Sequence, residues 1–365
     1  LNKKRILIVS SEFPPQPGGI GNHAYYLALY LSKNNYDVTV IADQREAVNS
    51  EEIIFDAKLP FKVKRIPLQN PRFKMYLNRI RNTLTYFKQA DCVIATGKFS
   101  LWNVALCSFF YDRKKMAVIH GSEVNFKSKG LRKSIDFSLK RFETIVAVSQ
   151  YTKQLVDHIE REVTVIPNGI DLMDWQTEGL QKATLSGHPV LTTVGRVSSR
   201  KGQLQVIKLL PDLLKAYPNA HYHCVGIPTE AVEFMEEAKQ LDVDAHVSFH
   251  GAVSESELKS ILLGTDIFVM LSIEIETGDV EGFGIAILEA NALGIPAIGS
   301  TNCGISDAID SGVTGFLIDS LDAPAFSLHM KTLLENQHNF NKQAKNWAEQ
   351  HDWNTIIKRY ISLIS

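Results

Sequence analysis

The chain has 365 residues, 45% of them hydrophobic and 22% charged, with a net charge of −1. That is the composition of a soluble globular protein with room for two domains of ordinary size, and no apolar run reaches the length of a membrane span. The near-zero charge conceals an asymmetry: residues 1–168 carry 26 Lys and Arg against 15 Asp and Glu, and the remainder carries 13 against 25. A basic half joined to an acidic half fits two situations, an anionic surface or substrate met by the first half, or attraction between the halves.

Ile6–Val9 is a continuous apolar run, as expected of a parallel strand buried on both faces. It is too short for a signal peptide. The four cysteines (Cys92, Cys107, Cys224, Cys303) are scattered without paired spacing, which predicts reduced core thiols in a cytoplasmic protein. A Pro-rich loop and Gly18-Gly19-Ile20-Gly21 follow the strand, then a helix over about 22–33 and a second strand over 36–42. Gly19-x-Gly21-x-x-Ala24 formally matches the dinucleotide fingerprint, with Asp43 near the distance of its ribose carboxylate. That fingerprint follows its strand directly, whereas here eight residues intervene, three of them proline, so nicotinamide and flavin cofactors are not expected.

Residues 58–90 are the most basic part, with Arg72, Lys74, Arg79 and Arg81 among Phe73, Met75, Tyr76 and Leu77 on a helix expected over 73–89. Lys127, Lys129, Arg132, Lys133, Lys140 and Arg141 form a second basic patch. A basic amphipathic helix suits an anionic membrane surface as well as a solvated face. No nucleic-acid motif accompanies these residues, so nucleic acid is not an expected partner. Ala117–Ile119 reads as a strand, and His120-Gly121-Ser122-Glu123 follows it, at the end of a strand where parallel sheets bind ligands. Ile166-Pro167-Asn168-Gly169-Ile170-Asp171 is a turn by composition, and residues 172–187 read as a polar linker.

The second half opens with a strand, Val190–Val194, then Gly195-Arg196 and Ser198-Ser199-Arg200-Lys201-Gly202, and a helix from Gln203 to about Tyr217. A strand, a loop with Arg and Lys, and a helix N-terminus describe a diphosphate site. Asp242-Val243-Asp244 precedes a strand and reads as a surface turn, not a metal motif, and no P-loop is present. The stretch from Asp279 to Pro296 holds two carboxylates, Glu281 and Glu289, seven residues apart and separated by Gly282-Phe283-Gly284 and an apolar run. Gly284 opens that run as a helix, and Gly294 with Pro296 ends it. Glu281 then lies in the preceding loop, Glu289 about one turn inside, and the first helix amides are free to meet a phosphate.

His-Gly-x-Glu, Ile-Pro-Asn-Gly-Ile-Asp, G-R-x-x-x-R-K-G and the E-x7-E stretch, in this chain order, resemble the retaining group 1 (family 4) glycosyltransferases. The resemblance covers nearly the whole chain. It implies an α/β protein of two Rossmann-like domains facing across a cleft, the GT-B fold. Residues 1–170 would be the acceptor-binding domain, 188–348 the nucleotide-sugar domain, and 349–365 a terminal helix packing back on the first. It implies transfer of a hexose-type sugar from UDP or GDP to a hydroxyl of a glycan or lipid-linked acceptor, in envelope polysaccharide assembly. The enzyme would be cytoplasmic, with the inner face of the cell membrane as a candidate surface.

The same resemblance implies roles by position. Arg196 and Lys201 would hold the diphosphate without an obligatory metal or other cofactor, with Arg200 less clearly placed. The Gly19 amide would reach the same diphosphate from the first domain, and the two domains would close on the donor. Glu281, Gly282, Phe283 and Gly284 would meet the sugar, Ile285 and Ala286 the phosphate, and Glu289 the ribose. His120 would line the transferred sugar, Glu123 would orient or stand on the acceptor side, and the loop His250–Val253 would lie under the nucleobase. The acidic segment 272–280 departs from the family pattern and leaves the sugar pocket open. Two other functions stay compatible: a sugar-nucleotide epimerase and a non-catalytic partner subunit.

Overall fold

The structure is a computed structural model; it describes residues 3–45, 48 and 50–365. The chain forms two compact units: Leu1–Gly169 with Trp353–Ser365, and Ile170–Asp352.

The first unit holds strands β1 (Arg5–Ser10), β2 (Asp37–Asp43), β3 (Lys62–Ile66), β4 (Cys92–Thr96), β5 (Lys114–Ile119), β6 (Thr144–Ala147) and β7 (Thr164–Val165). All pair in parallel, in the order β3-β2-β1-β4-β5-β6-β7. Between them run α1 (Gly19–Lys33), α2 (Ser50–Asp56), α3 (Arg72–Phe87), α4 (Lys98–Cys107), α5 (Lys129–Leu139) and α6 (Gln150–Gln154). Strands β1, β4 and β5 carry the apolar runs Ile6–Val9, Cys92–Ala95 and Met116–Ile119, buried on both faces, as a sheet covered on both sides by helices requires. In α1, Ala24, Leu27, Ala28 and Leu31 are buried on one stripe. Chain order reverses between β1 and β4, so the loops after these two strands flank the point where such sheets open to ligands.

The second unit repeats the plan with β8 (Val190–Val194), β9 (His221–Val225), β10 (Val247–Gly251), β11 (Ile267–Met270), β12 (Ala297–Ser300) and β13 (Gly315–Ile318). The order is β10-β9-β8-β11-β12-β13, again all parallel, and the reversal falls between β8 and β11. Its helices are α7 (Gln203–Ala216), α8 (Ala231–Gln240), α9 (Glu255–Leu263), α10 (Ile285–Ala292), α11 (Ala323–Glu335) and α12 (Gln337–Gln350). Two start on side-chain caps: Ser254 accepts from the Glu257 amide and Asp322 from the Ala325 amide.

The segment expected as a linker, 172–187, carries no strand or helix but belongs to the second unit, where the Ala183 amide donates to Ser260 O at 2.9 Å. The last helix, α13 (Trp353–Ile364), belongs to the first unit and packs on α1. Gly169 has room only for hydrogen there, because an added Cβ would stand 2.9 Å from the Trp353 ring. None of the described helices is long and apolar enough to cross a membrane.

Candidate functional site

In the second unit the chemistry gathers at the ends of β8 and β11. After β8 the chain turns through Gly195, at φ +145°, where an added Cβ would stand 3.3 Å from Lys201 Cε. At Gly202 φ is +80°, and a Cβ would stand 1.9 Å from Leu271 O. Only glycine fits, and the loop is thereby pressed against the end of β11.

That approach delivers two cations to one carboxylate. Glu281 Oε2 accepts from Lys201 Nζ at 2.7 Å and from Arg200 Nη1 at 2.7 Å. Arg200 Nε also lies 3.3 Å from Asp279 Oδ2. Burial of Glu281 by itself would raise its pKa, but the charges and hydrogen bonds of Lys201 and Arg200 outweigh it and hold the carboxyl at about 2.

The loop 281–284 is fixed from the other side by residue 304. The Gly304 amide donates to Glu281 O at 2.8 Å, and a Cβ on Gly304 would stand 1.9 Å from Gly282 O. Gly284, at φ +91°, caps α10. Among the described residues, the amides of Gly284, Ile285 and Ala286 donate to no backbone carbonyl, whereas the Ile287 amide is already used on Gly284 O at 2.9 Å. Phe283 is buried, so only its backbone is placed to meet a ligand. Glu289 sits on the first turns of α10 with no side-chain hydrogen bond or salt bridge among the described residues. Burial pushes its carboxyl up to about 7, Lys201 partly opposing and Glu255 adding. Free amides, two cations and two carboxylates in one place suit a ligand with both phosphates and hydroxyls.

Arg196 stands apart: it is exposed and its side chain bonds no group among the described residues. The carboxylate-bound arginine is Arg200, which the sequence left less clearly placed. The unexpected acidic segment supplies Asp279 to it, a contact visible only once the loop folds back. His250, at a bulge in β10, shares a 3.0 Å hydrogen bond with His223 Nδ1. His223 Nε2 donates to Ser186 O at 3.0 Å. Nothing in the sequence marked His223.

In the first unit His120 ends β5, buried, with Nε2 2.8 Å from Thr96 Oγ1 and its ring edge-on to His23 at 5.0 Å. Burial pushes its pKa down to about 3, so at neutral pH it is an uncharged donor and acceptor. The Glu123 carboxylate accepts from the His120 backbone amide, and burial raises the Glu123 pKa to about 7. Glu123 therefore shapes the loop. Gly19 opens α1, exposed, with its amide bonded to no backbone carbonyl among the described residues. Asp43, the carboxylate that a dinucleotide site would keep for ribose, is instead buried in an ion pair with Arg79. Asp242 and Asp244 form an exposed turn, Asp242 at φ +54°. All four cysteines are free and buried.

This geometry agrees with what the chain resembles. The family described as Glycosyl transferases group 1 matches residues 177–351, and Glycosyltransferase Family 4 matches residues 17–174. A GDP-mannose-dependent alpha-(1-6)-phosphatidylinositol monomannoside mannosyltransferase of Mycolicibacterium smegmatis is 25% identical over 99% of this chain and 98% of its own. A glycosyltransferase from Rickettsia africae superposes with a TM-score of 0.79 at 20% identity, over 100% of this chain and 98% of its own. Anabaena HepE, solved with UDP and glucose, gives a TM-score of 0.78 at 18% identity over 98% of both chains. With two Rossmann-like units, and family matches that between them span nearly all of both, the chain belongs to the group 1, family 4 glycosyltransferases of the GT-B fold.

Proposed function

We propose that this glycosyltransferase moves a hexose-type sugar, with retention of configuration, from UDP or GDP to a hydroxyl of a glycan or lipid-linked acceptor in envelope polysaccharide assembly. The observation that carries the reading is the group formed by Arg200, Lys201, Glu281, the free amides of α10 and Glu289. Departure of the nucleoside diphosphate from the anomeric carbon is the main barrier, and preorganised cations and amides lower it. Lys201 and Arg200 supply the positive charge, so the reaction needs no obligatory metal. An arriving diphosphate competes with Glu281 for these cations and leaves Glu281 free to accept sugar hydroxyls. Glu289 accepts from ribose, and Arg196, in the same loop as Lys201, is a further diphosphate contact.

Glu281 and Glu289 are both accounted for as acceptors of donor hydroxyls, which leaves no carboxylate assigned as a covalent nucleophile. Same-face attack with the donor phosphate taking the acceptor proton therefore fits this site better than a glycosyl-enzyme. A peripheral place on the cytoplasmic membrane face draws support from the charge of α3, α4 and α5. Apart from Arg79, which is buried against Asp43, these helices hold seven Lys and Arg (Arg72, Lys74, Arg81, Lys98, Lys129, Arg132, Lys133) and one carboxylate, Asp136. An epimerase would turn over donor without acceptor, and a non-catalytic subunit would not need Lys201, Glu281 and Glu289 together.

Calorimetric titration with UDP, GDP and ADP, without added metal, tests the reading. Micromolar binding of one nucleotide, lost in Glu289→Ala, is expected. Binding of none refutes it. Anomeric analysis of the product by NMR decides retention.

A further inference from the structure

The loops after β4 and β5 carry more than His120. Four aromatic rings run in a row: Tyr76 of α3, Phe99 and Trp102 of α4, and Phe126 beyond β5. Their successive centroids lie 6.2, 5.8 and 6.0 Å apart. Tyr76 and Phe99 are inclined by 28°, Trp102 and Phe126 by 7°. The Arg79 guanidinium lies 5.3 Å from the Tyr76 ring and 5.4 Å from the Phe99 ring, and it is fixed by its buried ion pair with Asp43. The two rings are thus held in place from behind.

Tyr76 and Phe99 nonetheless remain 40% and 39% exposed. Leaving two large rings in water forgoes about 25 cal/mol for each Å² of apolar surface that burial would save. The surroundings are positive. Lys98 Nζ stands 4.5 Å over Phe126, and Lys129 and Arg132 are exposed at the start of α5. Acidic side chains are absent from α3 and α4, and Asp136 of α5 is engaged with His158 at 3.0 Å. The row adjoins the His120 loop in sequence: Thr96, which holds His120, is three residues from Phe99, and Phe126 directly follows the turn that runs from Gly121 to Asn125.

We propose that this row is the acceptor subsite and takes a pyranose ring that carries, or adjoins, an anionic group. The apolar C–H face of the sugar lies on Tyr76 and Phe99, and a phosphate or carboxylate meets Lys98 and the start of α5. Rigid aromatic faces with a few placed charges are the usual makeup of a small-molecule site. This deepens the transferase reading and rests on it only for the word acceptor.

Saturation-transfer NMR on the full chain tests it, with methyl α-mannoside and α-mannose 1-phosphate as probes and inorganic phosphate as competitor. Transfer to the C–H face of both sugars is expected, with the phosphate-bearing one binding roughly tenfold tighter. Phe99→Ala and Tyr76→Ala each weaken binding by about fivefold, and Phe99→Trp keeps it. No transfer to either sugar, or equal transfer in the Phe99→Ala/Tyr76→Ala double variant, overturns the proposal. So does complete displacement of mannose 1-phosphate by inorganic phosphate while methyl α-mannoside stays unbound, since the site then reads only the anion. Co-sedimentation with phosphatidylglycerol vesicles that is lost in the double variant, without sugar contact, overturns it in favour of a lipid surface. Nucleotide titration of the same samples keeps the two readings separate: absent nucleotide binding refutes the donor site and leaves the sugar result standing.

Discussion

Glu281→Gln removes the one anion shared by Lys201 and Arg200. The Glu281 carboxyl is depressed from 4.5 to about 2, and at 1.36 kcal/mol per unit that corresponds to about 3 kcal/mol of stability at neutral pH. The side chains are 13%, 16% and 23% exposed for Glu281, Lys201 and Arg200, so solvent screens the pair only modestly. Asp279 retains Arg200, which places the expected loss near 2 kcal/mol. The sign with pH follows from the depressed folded-state pKa. The stabilisation is complete above pH 4.5 and disappears as pH falls through about 2, so wild type and variant converge in acid.

The same substitution has an opposite effect on ligand. Without the competing carboxylate, the two cations are left to the diphosphate, and UDP or GDP binds about tenfold tighter. Urea unfolding at pH 7 measures the first effect. The two units can unfold separately, so the relevant transition is the one that moves when nucleotide is added. Calorimetry measures the second. A transition displaced by less than about 0.5 kcal/mol, or nucleotide affinity that falls together with stability, refutes the account of Glu281 as the resting partner of a phosphate site.

Lys201→Ala lowers kcat by about a hundredfold to a thousandfold with the urea transition still cooperative; a near-normal rate removes leaving-group stabilisation from the mechanism. Gly304→Ala drives a Cβ into the Gly282 carbonyl and displaces the 281–284 loop. The variant loses nucleotide affinity at least tenfold, while sugar binding measured by NMR in the first unit stays. Unchanged calorimetry would show that the loop position is not set by residue 304.

Much of this protein is legible one residue at a time. The apolar runs Ile6–Val9 and Ile267–Met270 read as buried parallel strands because a sheet covered on both faces needs no alternation. The glycines and the proline around α10 place its ends within one residue, since positive φ and a missing amide are local properties. The carboxylate spacing of Glu281 and Glu289 is local too, and it points to the candidate site of the second unit. The rejection of a dinucleotide reading came from the length of one loop.

What tertiary structure decided is who meets whom. Arg200 and Arg196 are both arginines in one loop, and only the approach of Gly202 to Leu271 turns Arg200 onto Glu281 and leaves Arg196 exposed. The acidic segment before Glu281 looked like a departure until Asp279 met Arg200. His223 paired with His250, and Tyr76 aligned with Phe99, join elements 27 and 23 residues apart. No periodicity encodes such pairs. Sequence fixes a residue's chemistry and its place on a strand or helix; which partner reaches it depends on how loops close over the strand ends, and there the cost of a single added Cβ sets the answer.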